Sequence, residues 1–206
     1  MAERLYAGLS ADQRSSGRRA RFLEAGLDVF ADRGWAGATV HEVCRAAGLS
    51  PRYFYELFDS REALFGEVTA GIAVQVQDTV RQALAGAEVE SQRRARAVLE
   101  ALAGFFTADA RLVRVGLMES LATESFRVHR RRLLGEFASL AARLMRPLQM
   151  GADLDRAGER RLELSAAVLV GGMVEALIAW DSDPEPLPSE LFVDHLTDLF
   201  TAAAQL

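Results

Sequence analysis

Between Cys44 and Phe58 the chain must stop one helix and start another, and Ala47-Gly48-Leu49-Ser50-Pro51 leaves only a tight turn in which to do it. Upstream, Thr39-Val40-His41-Glu42 has the form of a capping box, with a hydroxyl at the cap and a carboxylate three residues later. Val40, Val43, Cys44 and Ala47 then share one side of a helix that lasts about two turns before Gly48. Downstream, Ser50 suits the N-cap and Pro51 the first helical position, where its missing N–H costs nothing. Leu49 and Phe54 are spaced as a hydrophobic staple. Two short helices joined in this way form a helix-turn-helix.

The flanks extend the pattern. From Arg18, Phe22, Ala25 and Val29 run beside Leu23, Leu27 and Phe30 at helical spacing, and Gly34 is placed to end that helix in a left-handed conformation. The polar, aperiodic residues 1–17 read as a flexible arm. Pro51 to about Phe58 forms a third short helix, and Ser60 caps a fourth that starts at Arg61. Further helices are expected at about 61–85, 91–107, 109–121, 124–149, 157–181 and 188–204. Their joints fall at Gly86, Thr107–Asp109, Thr123–Glu124, Gly151-Ala152-Asp153 and the proline-rich DSDPEPLPSE. Only five prolines and no alternating strand pattern leave an all-α chain. The expected organisation is an arm (1–17), a three-helix domain with a helix-turn-helix (18–60), and a helical ligand-binding and dimerisation domain (61–206).

The net charge of −5 argues against a nucleic-acid partner until its distribution is considered. Residues 1–65 carry nine Arg and nine acidic residues, whereas residues 66–206 carry 15 Arg and 20 acidic residues. Residues 1–21 hold five Arg against two acids, ending in Arg18, Arg19 and Arg21. Such a front suits one end facing phosphate.

In a helix-turn-helix the second helix enters the major groove and presents its first residues to base edges. Here those residues are Ser50, Pro51, Arg52, Tyr53 and Tyr55. Arg52 is suited to grip guanine O6 and N7 with two N–H groups, and the tyrosines offer hydroxyls to bases or phosphates. The stretch TVHEVCRAAGLSPRYFYELFDSREALF closely resembles the TetR family of regulators. The resemblance rests on Thr39, Ala47-Gly48-Leu49-Ser50, Phe54-Tyr55, Phe58, Ser60-Arg61-Glu62 and Leu64, and covers about residues 18–65. It implies that Thr39, Tyr55 and Arg61 bind phosphate, with Arg18 and Arg19 in the same basic front. Arg61 stands where the family usually has lysine, and Arg52 where many members have glycine.

The resemblance also implies a homodimer on an inverted-repeat duplex, released by a small-molecule effector. Phe105, Phe106, Leu117, Met118, Phe126, Phe137, Leu144 and Met173 are the expected lining of a largely apolar pocket. Gly171 and Gly172, Leu196 and Phe200 are expected at the dimer interface. No cofactor, metal or catalytic residue is expected: three separated histidines and one cysteine form no metal or nucleophile set. Cys44 reads as a small core residue. No stretch of about 18 uncharged apolar residues and no opening apolar segment are present, so a cytoplasmic protein without a membrane span is expected. A helical adaptor that no longer binds DNA, or a constitutive regulator without a ligand, are the alternative readings.

Overall fold

The computed structural model describes residues 11–119, 124–149 and 154–205. All regular elements among them are helical. They are α1 (Ala11–Gly37), α2 (Val40–Ala47), α3 (Pro51–Tyr55), α4 (Arg61–Gly86), α5 (Ser91–Ala108), α6 (Ala110–Leu112), α7 (Glu124–Met145), α8 (Arg156–Ser182) and α9 (Ser189–Ala203). A π-helical stretch, Val113–Met118, continues α6, and a 3-10 turn, Arg146–Leu148, follows α7. The expected joint at Gly151-Ala152-Asp153, Thr123 and residues 1–10 lie outside the described residues. Residues 11–17, expected in the arm, are the first turns of α1.

The chain divides into two compact units, Met1–Ala70 and Gly71–Leu206, with the division within α4. In the first unit the core is aromatic. Phe22 meets Phe54 and Phe58 edge-on, with ring centroids 5.5 and 6.1 Å apart, and Phe30 meets Phe65 at 4.8 Å. Phe22, Phe30, Phe54 and Phe65 are all fully buried. These side chains fix α1 against the second short helix and the start of α4, at little loss of rotamer freedom per area buried. Gly34 has φ 67 and ψ 173, a conformation open essentially to glycine, and it kinks α1 where the sequence predicts a stop. Helical turns resume to Gly37.

The second unit packs α7 on α8, and α5 on α9. One of its buried clusters joins Ala95, Leu144, Met145, Leu162, Ala166, Phe200 and Ala204. Among the described residues, α8 is the one helix long and apolar enough to cross a membrane by length and composition. Its apolarity has a more specific cause. Leu162, Ala166, Val170, Val174 and Leu177 face the core, while Leu164 and Val168 stand 66% and 67% exposed on another face. A helix apolar on two faces reads as a span in composition alone.

Candidate nucleic-acid interface

The turn between α2 and α3 is built by backbone hydrogen bonds. Gly48, at φ 61 and ψ 36, donates its N–H to the Arg45 carbonyl at 3.2 Å, and Leu49 donates to Cys44 at 3.0 Å. This pairing closes a helix through one left-handed residue. At the other end of α2, the Thr39 hydroxyl accepts the Glu42 N–H at 3.2 Å, and the Thr39 N–H donates to the Glu42 carboxylate at 3.0 Å. The expected capping box is therefore formed. The Thr39 hydroxyl also donates to Glu42 at 2.9 Å, and with Arg33 2.5 Å away it holds that carboxyl below the usual carboxylate range. Cys44 lies in the core, where burial pushes its thiol up and keeps it protonated.

Helix α3 starts at Pro51, as the sequence predicts, but its regular part ends at Tyr55, short of Phe58. Turn hydrogen bonds carry the chain onward, with Phe58 donating to Phe54 at 2.8 Å. Ser50 has the extended backbone of a cap, yet its hydroxyl makes no capping hydrogen bond. The Ser50 carbonyl instead receives the N–H groups of Tyr53 and Phe54. Ser60 does cap α4, accepting the Ala63 N–H at 3.1 Å.

On this frame one face of α3 is left open. Ser50, Pro51, Arg52, Tyr53 and Tyr55 are all exposed while Phe54 points inward. The Arg52 side chain is 85% exposed and Tyr55 is 61% exposed. Arg18 lies with its guanidinium 4.7 Å from the Tyr53 ring centre. His41 and Arg45 are exposed on α2.

The remaining cations expected on phosphate have work inside the fold. Arg19 pairs with Glu67, donates to the Leu57 carbonyl at 3.3 Å and covers the Phe58 ring at 4.8 Å. Arg61 donates to the carbonyls of Trp35 and Ala38 and lies over the Trp35 ring. Both clamp the unit together, because a guanidinium satisfies several carbonyls while stacking on an aromatic face. Spacing alone did not reveal these roles, since the partners are distant in sequence. Arg52 is different: its Glu56 partner, four residues on, is a pairing that i,i+4 spacing makes legible.

In the second unit, the residues expected in a pocket are dispersed in burial. Phe106 and Phe126 are buried, Phe105, Leu117, Phe137 and Met173 are half-buried, and Met118 is exposed. Phe105 and Phe106 meet edge-on at 5.1 Å. Leu144, assigned to the pocket, and Phe200, assigned to the dimer interface, lie together in one core cluster of the chain itself. The exposed side of α9 is carried instead by Leu191, His195 and Leu199, at i, i+4 and i+8. Phe200 follows Leu199 by about 100° around the helix, enough to exchange solvent for core. Gly172 is exposed, while Gly171 and Leu196 are half-buried.

Residues 22–68, which span α2, the turn, α3 and the start of α4, match the family model described as bacterial regulatory proteins, tetR family. Over these residues the chain is similar to that family. It is 33% identical over 90 residues to the transcriptional repressor DhaR of a Mycobacterium species, covering 42% of this chain and 46% of that protein. The chain spans about half the length of the curated relatives it matches. Its fold is similar to that of a TetR-like transcriptional regulator from a Rhodococcus species, with a TM-score of 0.73, 18% identity and coverage of 93% and 96% of the two chains. It is also similar in fold to the regulator FadR from Bacillus subtilis in complex with stearoyl-CoA, with a TM-score of 0.75, 13% identity and coverage of 89% and 98%. The family match falls on the unit that bears the open α3 face.

Proposed function

We propose that this protein is a sequence-specific, double-stranded DNA-binding regulator that works as a homodimer on an inverted repeat and is released by a small, largely apolar effector. The observation that carries the reading is the open α3 face. Arg52, Tyr53 and Tyr55 project from a short helix whose inner side is locked by the Phe22–Phe54–Phe58 contacts. A rigid scaffold bearing exposed arginine and tyrosine at a helix start is what direct base reading requires. Arg52 is assigned to a base edge, Tyr55 to phosphate, and the Ser50 hydroxyl and the exposed front of α1 to the flanking backbone.

A second copy of the chain would cover Leu164, Val168, Leu191 and Leu199, with Gly172 allowing close approach on α8. Burying such side chains is worth about 1.5–3 kcal/mol each. The effector would act in the helical unit, residues 71–206, with the partly buried Phe105, Leu117, Phe137 and Met173 among its contacts. A protein similar in fold binds stearoyl-CoA, whose acyl chain is apolar, which supports an apolar portion in the ligand. Helix α4 carries residues of both units, Arg61–Ala70 in one and Gly71–Gly86 in the other.

The test is a pair of titrations with hydrophobic compounds found by thermal stabilisation, one with and one without bound duplex. Linkage requires the duplex to weaken the ligand by the factor by which the ligand weakens the duplex, typically about 5- to 150-fold. A stabilising compound with equal affinity in both titrations is not the effector, and a broad screen without a coupled compound favours a constitutive regulator.

A further inference from the structure

Arg52 is exposed but not loose. Its Nε donates to the Glu56 carboxylate at 3.1 Å, and one turn of backbone fixes the spacing, since the Glu56 N–H donates to the Arg52 carbonyl at 3.1 Å. A guanidinium has five N–H donors in a planar fork. A carboxylate on Nε holds the plane while the two terminal nitrogens extend past it. The neighbouring side chains are ordered in a similar way, with Arg18 over the Tyr53 ring and Tyr55 edge-on to Phe54 at 5.3 Å.

We infer that Glu56 is a positioning residue that sets the base specificity of Arg52, through a tether that presents the terminal nitrogens to guanine and keeps Arg52 from reaching a phosphate. This rests on the DNA-reading role proposed for α3. An untethered arginine at a groove has two outlets. It can grip guanine O6 and N7, or it can swing to a phosphate, which adds affinity for every sequence alike. Ordering the side chain beforehand lowers the entropy lost in the first outcome, and the tether must break for the second. Glu56 also brings its own negative charge, 41% exposed, to a surface facing phosphates. That charge weakens binding to all duplexes equally. Glu56 therefore trades general affinity for discrimination, which a purely helix-stabilising ion pair does not do. Exposed pairs are individually weak, so the effect is modest in size.

The experiment uses the full chain and the duplex it enriches from a randomised pool, together with single-base-pair variants of that duplex and a scrambled one. Affinities are measured for the unmodified protein, Glu56→Gln, Arg52→Ala and the double variant. Arg52→Ala identifies the base pair that Arg52 reads. The expected result for Glu56→Gln is discrimination at that base pair reduced about 2- to 10-fold, with other positions unchanged and binding to the scrambled duplex strengthened. In the Arg52→Ala background, Glu56→Gln should leave base preference unaltered. Equal changes at every position, or undiminished discrimination at the Arg52 base pair, overturn the inference. So does a change in base preference on Glu56→Gln that persists without Arg52, because Glu56 would then be reading a base itself. If the unmodified protein enriches no duplex, the DNA-reading role fails, and this inference with it.

Discussion

The guanidinium of Arg61 lies 4.0 Å from the centre of the Trp35 ring while donating to the Trp35 carbonyl at 3.0 Å. One side chain at the start of α4 thus holds the end of α1, including the chain just beyond the Gly34 kink.

Arg61→Ala should accordingly destabilise the first unit by about 2–3 kcal/mol, the sum of a lost cation–π contact and of carbonyls left without a charged donor. Arg61→Lys should restore part of this, because it keeps the charge but not the planar fork. Denaturant unfolding of the full chain measures both. An unchanged midpoint with weakened DNA binding would mean that Arg61 serves phosphate alone.

The capping box makes α2 sensitive to acid. Glu42 is held below the usual carboxylate range, first by the Thr39 hydroxyl and then by Arg33. A group depressed in the folded state contributes stability above its unfolded value, and that stability is lost as pH falls through the folded value. Unfolding free energy should therefore drop on acidification below the ordinary glutamate range. Thr39→Ala should move the Glu42 carboxyl resonance toward an ordinary titration and cost about 0.5–2 kcal/mol near neutral pH as a lost cap. A Glu42 titration midpoint identical in both proteins would contradict the geometry.

Phe200 and Leu199 should separate folding from association. Phe200→Ala removes a ring from the cluster of Leu144, Met145 and Leu162, and should cost about 3–5 kcal/mol in unfolding free energy. Leu199→Glu places a charge on the exposed side of α9, so it should leave the monomer folded and shift sedimentation from dimer to monomer. Normal association of Leu199→Glu would move the dimer surface elsewhere.

Much of this arrangement was legible because it is local. The Thr39 box, the Gly48 turn and the Pro51 start are each specified by neighbours within four residues, and the structure forms all of them. The Ser50 hydroxyl was not legible, since its backbone caps without its side chain. The inward roles of Arg19 and Arg61 are not legible, because their partners, Glu67 and the Trp35 and Ala38 carbonyls, lie far along the chain. In the second unit, long apolar helices offer several competing faces. Periodicity identifies the α9 apolar stripe but not which side of it meets the core, where Phe200 is buried and Leu199 exposed.

Selection from random double-stranded DNA tests whether the open face of α3 reads a two-fold symmetric duplex. The unmodified protein should enrich an inverted repeat with a fixed guanine in each half-site, and Arg52→Ala should lose that guanine while keeping the rest of the repeat. Failure to enrich any duplex, a preference for single strands, or the same motif selected by Arg52→Ala would contradict it.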